Sequence, residues 1–359
     1  MKIAIIGTNG LPAKYGGYET LVNYLTLLNN ELEIDVYCSK TKKEDQIKTF
    51  NGSKLIYSPF KANGFQSIFC DIHALINCWF KYDCILILGT SGTLILPLLR
   101  QFRNTKTVIN LGGFEWRRSK LNYFSKKFVK FCDYLAIIYC TNTVVDNIVM
   151  KRYVERKFNK KPFIIEYGGD HVSNLKPTVE LSTNYKFLNK KFHLSISRAQ
   201  EDNNLHIILE AYSKIPNKIL VLISNYNSYE YGIKLKKKFS KFKNIHMLDA
   251  IYDLKILDVI RSNCELYVHS HKLCGTAPSL VEIMSLGKPV FSFDSLTNRS
   301  TTENMTYYFS NVNDLISLNT LTKFENLKVI GKKMLDISKR KYQWGTIKNK
   351  YFKLLNSNL

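Results

Sequence analysis

Residues 84–99 read Cys84-Ile85-Leu86-Ile87-Leu88-Gly89-Thr90-Ser91-Gly92, then an apolar run that passes Pro97 and reaches Leu99. An apolar run, a glycine-bounded turn and a second apolar run predict a buried strand, a turn and a buried helix. The stretch falls short of the ~18 uninterrupted apolar residues that mark a membrane span.

Outward from this segment the same unit recurs. Further strands are expected at 2–6, 33–38, 54–58, 106–110, 134–138 and 162–166, with helices at 18–29, 69–80, 93–102, 119–131 and 143–153. Such alternation predicts a mostly parallel sheet covered on both faces. Polar, Pro- and Asn-containing sequence over 171–190 reads as a linker. Alternation restarts with strands at 192–196, 218–224, 245–248, 265–269 and 288–293. Helices are expected between them at 204–213, 230–240, 253–261 and 278–286, before a long helical tail at 324–357. The reading is an α/β chain of two Rossmann-like domains, 1–170 and 191–340, with 341–359 a helix that crosses back to the first domain. The parallel sheets are expected to face a central cleft, because open sheets of this kind take ligands at the carboxyl ends of their strands.

A hydrophobic fraction of 45% with 23% charged residues excludes a disordered chain. The 52 Lys and Arg against 29 Asp and Glu leave a net charge of +23, a field that attracts polyanions. No helix-turn-helix, zinc-finger or single-strand-binding signature accompanies it, so nucleic acid is not the expected partner. Around Arg117, Arg118, Lys120, Lys126, Lys127 and Lys130, apolar Leu121, Phe124, Phe128 and Phe131 recur at helical spacing. That pattern suits either a helix on an anionic membrane surface or an ordinary helix on a core. The eight cysteines form no C-x-x-C pair and several lie in apolar runs, the usage of a reduced, cytosolic protein. Met1-Lys2 runs straight into a short strand, so no signal peptide is read.

Four motifs carry chemistry. The first spans Gly7 to Glu19, where Gly16-Gly17 at a helix entry lets backbone N–H groups approach an anion. It is not the dinucleotide fingerprint, which argues against a dehydrogenase. The second is Gly112-Gly113-Phe114-Glu115-Trp116-Arg117-Arg118. Trp116 can stack on a sugar, with Arg117 beside it, and Glu115 can bind hydroxyls or serve as a base; the plain alternative is an ion pair of Glu115 with Arg117 or Arg118. The third, Arg198 with Asp202-Asn203-Asn204, joins an arginine that reaches a diphosphate to a helix cap. The fourth runs from His269 and His271 through Cys274-Gly275-Thr276-Ala277-Pro278-Ser279 to Glu282. Its helix start offers amides to a diphosphate and Glu282 a carboxylate to a ribose. His-x-His lacks a third ligand at metal spacing, so no metal is expected.

In this order the motifs resemble the retaining nucleotide-sugar glycosyltransferases of family 4, of GT-B fold, and within them the bacterial rhamnosyltransferase branch of capsule, O-antigen and cell-wall polysaccharide synthesis. The resemblance extends through Tyr167-Gly168-Gly169-Asp170, Ile251-Tyr252-Asp253, Phe293-Asp294, Asn298-Arg299, Glu303 and Tyr308-Phe309. It implies transfer of L-rhamnose from dTDP-rhamnose to a lipid-linked glycan, without cofactor or metal, by a cytoplasmic enzyme peripheral to the inner membrane face. Donor-binding residues would be Gly16, Gly17, Arg198, Asn203, Gly275, Thr276, Pro278, Ser279 and Glu282, with Glu115, Arg198 and Glu282 catalytic. Lys14, Tyr15, Trp116, Arg117 and His271 would face the acceptor. Three positions depart from the pattern: Cys274 stands where the wider family has a glutamate, Gly112 where the branch has an aspartate, and Asn203 and Asn204 where relatives place a lysine. The alternatives are another donor, a UDP- or GDP-sugar, and a non-catalytic polyanion- or membrane-binding protein with a degenerate site.

Overall fold

The computed structural model describes residues 1–13, 16–29 and 31–357. Lys14 and Tyr15 lie outside the described residues. Two units are resolved, one of Met1–Glu166 with Gly345–Leu359, the other Tyr167–Trp344.

The first unit begins with β1 (Lys2–Ile6), α1 (Gly17–Leu27) and β2 (Glu33–Cys38), followed by the short antiparallel pair β3 (Thr49–Phe50) and β4 (Ser53–Tyr57). Then come α2 (Gln66–Cys78), β5 (Cys84–Leu88), α3 (Leu96–Phe102), β6 (Lys106–Asn110), α4 (Tyr123–Tyr139), β7 (Asn142–Val145), α5 (Ile148–Phe158) and β8 (Phe163–Ile164). The sheet runs β3-β4-β2-β1-β5-β6-β7-β8 and is parallel apart from its β3 edge. Its central strands are apolar on both faces: every residue of β5 is buried. Helix entries are set by asparagine: Asn122 caps α4 by accepting from Ser125 N, and Asn147 caps α5 by accepting from Val149 N.

Two expectations fail here. Residues 134–138 are the last turns of α4, not a strand, because the helix capped at Asn122 carries Leu135, Ala136 and Ile137 into the core. The strand is instead β7, which takes the start of the helix expected at 143–153.

In the second unit α6 (Val179–Asn184) lies within 171–190, a linker on its composition. The alternating part comprises β9 (Phe192–Ile196), α7 (Leu205–Ser213), β10 (Ile219–Ser224), α8 (Glu230–Phe239), β11 (Ile245–Asp249), α9 (Leu254–Asn263), β12 (Leu266–His269), α10 (Pro278–Ser285) and β13 (Val290–Phe293). It continues through α11 (Leu296–Thr301), β14 (Tyr307–Phe309), α12 (Val312–Leu321) and α13 (Phe324–Lys341). Its sheet, β11-β10-β9-β12-β13-β14, is parallel throughout. The helical tail is two helices, since α13 stops before α14 (Trp344–Asn356) begins. The α14 residues Ile347, Tyr351, Phe352 and Leu355 are buried, and Tyr351 Oη accepts from Asn110 Nδ2 at 2.6 Å inside the first unit.

Candidate active site

Each unit gathers its motifs at the carboxyl edge of its sheet. In the first, Glu19 of α1 is buried and its Oε1 accepts from Asn9 N at 2.8 Å, Asn9 Nδ2 at 2.9 Å and Thr8 Oγ1 at 3.3 Å. This carboxylate ties the β1–α1 loop to its own helix. Gly16, the N-cap of α1, has φ of 123°, and a side chain there would strike Glu19 Oε2 at 1.9 Å, so a glycine is required. Gly17 opens the helix.

Gly112 follows β6 with φ of 65°, its N–H donating to Asn110 Oδ1 at 2.8 Å. A side chain at Gly112 would meet the Tyr18 hydroxyl at 2.4 Å. That hydroxyl donates to Asn110 O at 3.3 Å. The absence of an aspartate at Gly112 thus has a local cause: Tyr18 holds the space. Burial, with Glu115, Asp146 and Asp133 nearby, keeps the Tyr18 phenol protonated well above its usual range.

Glu115 takes the ion-pair alternative. Arg118, buried, donates from Nη2 to Glu115 Oε1 at 2.9 Å and from Nε to both carboxylate oxygens at 3.3 Å. Trp116 packs against the core with Phe114 and Tyr153, while Arg117 and Lys130 each stand 4.9 Å from its ring centroid. Its neighbours are cations and aromatic core rather than an open sugar platform. Two polar groups escaped the sequence reading. Asp133 of α4 accepts from Thr90 Oγ1 at 2.8 Å, and burial pushes its carboxyl up to about 7. Asp71, buried on α2, is pushed up to about 7 by burial alone.

In the second unit the β9 and β12 loops are stitched together. Asn204, in the left-handed region at φ of 50°, donates from Nδ2 to Ser270 O at 3.2 Å, and Lys272 N donates to Asp202 O at 3.0 Å. His271 Nε2 bonds Ser197 Oγ at 2.8 Å. Asn203 is buried and donates from Nδ2 to Arg198 O at 2.8 Å, so it shapes the loop instead of reaching outward. Arg198, carried on that shaped loop, is exposed. The nearby His269 is buried, and lost solvation drives its pKa down to about 3, a neutral ring at every working pH. Gly275 and Thr276 are buried in the loop, and Pro278 and Ser279 begin α10, whose N-cap, Ala277, supplies no side-chain cap. Leu280 N and Val281 N donate to Ala277 O at 3.0 and 3.2 Å, and Pro278 has no N–H, so Ser279 N is the first-turn amide that an outside acceptor would meet. Cys274, half-buried, packs against the core. Among the described residues no three His, Cys, Asp or Glu side chains are grouped as a metal would need.

Glu282 is 7% exposed and held from two sides. Arg261 Nη2 donates to its Oε2, and His171 Nε2 lies 3.3 Å from its Oε1. Arg261 Nη1 continues to Asp258 Oδ1 at 3.2 Å, and Asp258 Oδ2 accepts from Ser173 N at 2.9 Å. Behind His171, Trp344 Nε1 donates to its Nδ1 at 3.0 Å. Burial alone would raise the Glu282 pKa; Arg261 and His171 outweigh it and bring the carboxyl down to about 2. Arg261 and His171 belong to no motif, and only the fold brings them to Glu282.

The two parallel-sheet units define the class of fold: the chain has the GT-B architecture. Solved structures of this architecture match at low identity and over the whole chain. Sucrose-phosphate synthase from Thermosynechococcus elongatus matches with TM-score 0.81 and 16% identity, covering 98% of each chain. Anabaena HepE in complex with UDP and glucose matches at 0.75 and 14%, covering 100% of each. A glycosyltransferase from Rickettsia africae matches at 0.70 and 12%, covering 99% of each. Residues 181–334 match the family model of glycosyl transferases group 1, and the second unit carries that family's domain. Residues 1–170 match a domain of unknown function (DUF1972). Among curated proteins no relative matches the sequence.

Proposed function

We propose that the chain transfers a sugar from a nucleoside-diphosphate donor to a hydroxyl of a lipid-linked glycan at the cytoplasmic face of the membrane, with L-rhamnose from dTDP-rhamnose as the donor. Arg198 carries the reading: an exposed guanidinium on a loop braced by Asn203 and tied through Asn204 to the loop that leads into α10, whose N-cap Ala277 offers no side-chain cap. That arrangement suits a diphosphate, a dianion that both an arginine fork and helix amides recognise. The sugar's bond to the diphosphate breaks, the acceptor oxygen bonds to the anomeric carbon with retention, and the acceptor proton passes to the departing diphosphate. Arg198 and Ser279 N at the start of α10 stabilise the charge that develops on the leaving group. No metal is assigned a role. Glu282, with both oxygens engaged, anchors α10 from within rather than reaching for the ribose. Glu115 orients the loop of the first unit through Arg118.

Thermal unfolding with dTDP, UDP, GDP and ADP, and with single-stranded DNA, at physiological salt tests the proposal, because a ligand of the folded state raises its stability. A shift with dTDP followed by rhamnosyl transfer supports it. A shift with UDP alone moves the donor to a UDP-hexose, the reading favoured by the UDP and glucose bound to HepE. A salt-sensitive shift with DNA and none with any nucleotide replaces the enzyme with a polyanion binder.

A further inference from the structure

We infer that α2, α3 and α4 of the first unit form one docking surface for an anionic lipid bilayer, with aromatic side chains entering the interface and lysines holding the headgroups. The strand order places these helices together. The connections β4 to β5, β5 to β6 and β6 to β7 all advance in one direction across the sheet, whereas β1 to β2 runs the other way. Right-handed crossovers therefore put α2, α3 and α4 on one face and α1 on the opposite face.

Hydrogen bonds fix the three side by side. Trp79 Nε1, at the end of α2, donates to Arg103 O at 3.2 Å, and Arg103 Nη1 returns to Phe80 O at 2.7 Å. Thr93 Oγ1, just before α3, donates to Cys132 O of α4 at 2.9 Å, and Arg100 Nε to Tyr139 O at 2.8 Å.

Each helix buries one stripe and leaves a second, apolar one in solvent. On α4 the buried stripe is Cys132, Leu135 and Ala136, while Phe124, Phe128 and Phe131 are exposed, Phe124 to 79%. The helical spacing of these phenylalanines is therefore not the core-facing stripe. On α3, Leu98 and Phe102 are exposed, Phe102 to 69%. On α2 and its flanks Phe65, Phe69, Ile76 and Phe80 continue the surface. Exposed apolar side chains on three neighbouring helices mark an interaction site.

Charge selects the occupant. Residues 60–139 hold 11 Lys and Arg, of which Lys106 and Arg118 are buried, against four Asp and Glu. None of the four acids offers a counter-charge on the face: Asp71 is buried, Asp83 accepts from Lys2 N, Glu115 pairs with Arg118 and Asp133 accepts from Thr90. Lys120, Lys127 and Lys130 stay exposed around the aromatic residues. Aromatic rings rimmed by lysine fit an anionic interface, where each basic residue and each buried ring adds to partitioning. No helix among the described residues is long and apolar enough to cross a membrane, so the surface lies on the bilayer. The inference deepens the membrane part of the proposed function and rests on it for the choice of leaflet.

Co-sedimentation with vesicles of equal parts phosphatidylcholine and phosphatidylglycerol tests it without donor or acceptor, so it fails separately from the transfer reaction. Wild type is expected to bind these vesicles and to bind pure phosphatidylcholine more weakly. Phe69→Ser/Phe102→Ser/Phe124→Ser is expected to lower the partition coefficient about tenfold or more while nucleotide-induced stabilisation is retained. Lys126→Gln/Lys127→Gln/Lys130→Gln, which leaves every ring in place, is expected to lower it about fivefold per charge, a loss that high salt reproduces in wild type. Wild-type failure to bind anionic vesicles overturns the inference, as does unchanged binding by both variants. A concentration-dependent dimer lost in the serine variant, with no vesicle binding by wild type, reassigns the face to a second copy of the chain.

Discussion

Buried carboxyls in the two units titrate in opposite directions. Asp71 in the first and Glu282 in the second are both 7% exposed, yet burial lifts Asp71 to about 7 while Glu282 sits at about 2. The difference is Arg261, with His171 behind it. Burial sets a penalty on charge; whether the group ionises depends on a cation within reach. A third carboxylate, Glu115, has its arginine but stands half in water, its side chain 48% exposed. The comparison separates what burial does from what pairing does.

The largest way to break it is Arg261→Met. The substitution strands a buried carboxylate and is expected to cost about 3–5 kcal/mol in urea unfolding, whereas Arg261→Met with Glu282→Leu recovers most of the loss. Recovery failing in the double variant would show that Arg261 acts through Asp258 instead.

Asp71→Asn sharpens the contrast in pH. A raised folded pKa means that the native state holds its proton more tightly than the unfolded chain. Asp71 therefore destabilises progressively as pH climbs from about 4 to about 7, and Asn is expected to gain about 4 kcal/mol at pH 8 and nothing at pH 4. Glu282, with its folded pKa depressed, behaves oppositely: its contribution is full above about 4.5 and is lost as pH falls toward 2. Urea midpoints of wild type and Asp71→Asn across that range check the sign. Next comes Arg198→Ala. As an exposed arginine it is expected to leave urea unfolding unchanged while weakening nucleoside-diphosphate binding by about 1.5–3 kcal/mol, read by calorimetry. Unchanged affinity would remove Arg198 from the donor site. The smallest effect is Glu115→Gln, expected to change stability by less than about 1 kcal/mol because the carboxylate is exposed.

The same distinction marks how much was legible in the sequence. Cys84–Leu88 is uniformly apolar and Lys106–Asn110 centres on Val108-Ile109, each followed by glycine-containing turn sequence, so both are read to the residue. The run Leu135-Ala136-Ile137-Ile138 is equally apolar but continues a capped helix, and a short apolar run does not distinguish the two. At the site, the Glu115–Arg118 pair is three residues apart and was foreseeable as a local alternative. Asn203 is a loop brace because Arg198 O lies within its reach, a backbone partner that motif spacing does not reveal. Arg261 and His171 lie outside the motif that carries Glu282, so the two partners that hold this carboxylate are not legible in motif spacing.

The ammonium of Lys106, buried in β6, donates to the carbonyls of Leu354, Leu355 and Ser357. The middle of the first sheet thus depends on residues that follow the whole second unit in the chain. During synthesis the second unit, Tyr167–Trp344, leaves the ribosome entire before the first unit receives its final helix. Until α14 emerges, the nascent chain carries the N-terminal sheet with Lys106 and Asn110 still awaiting their partners.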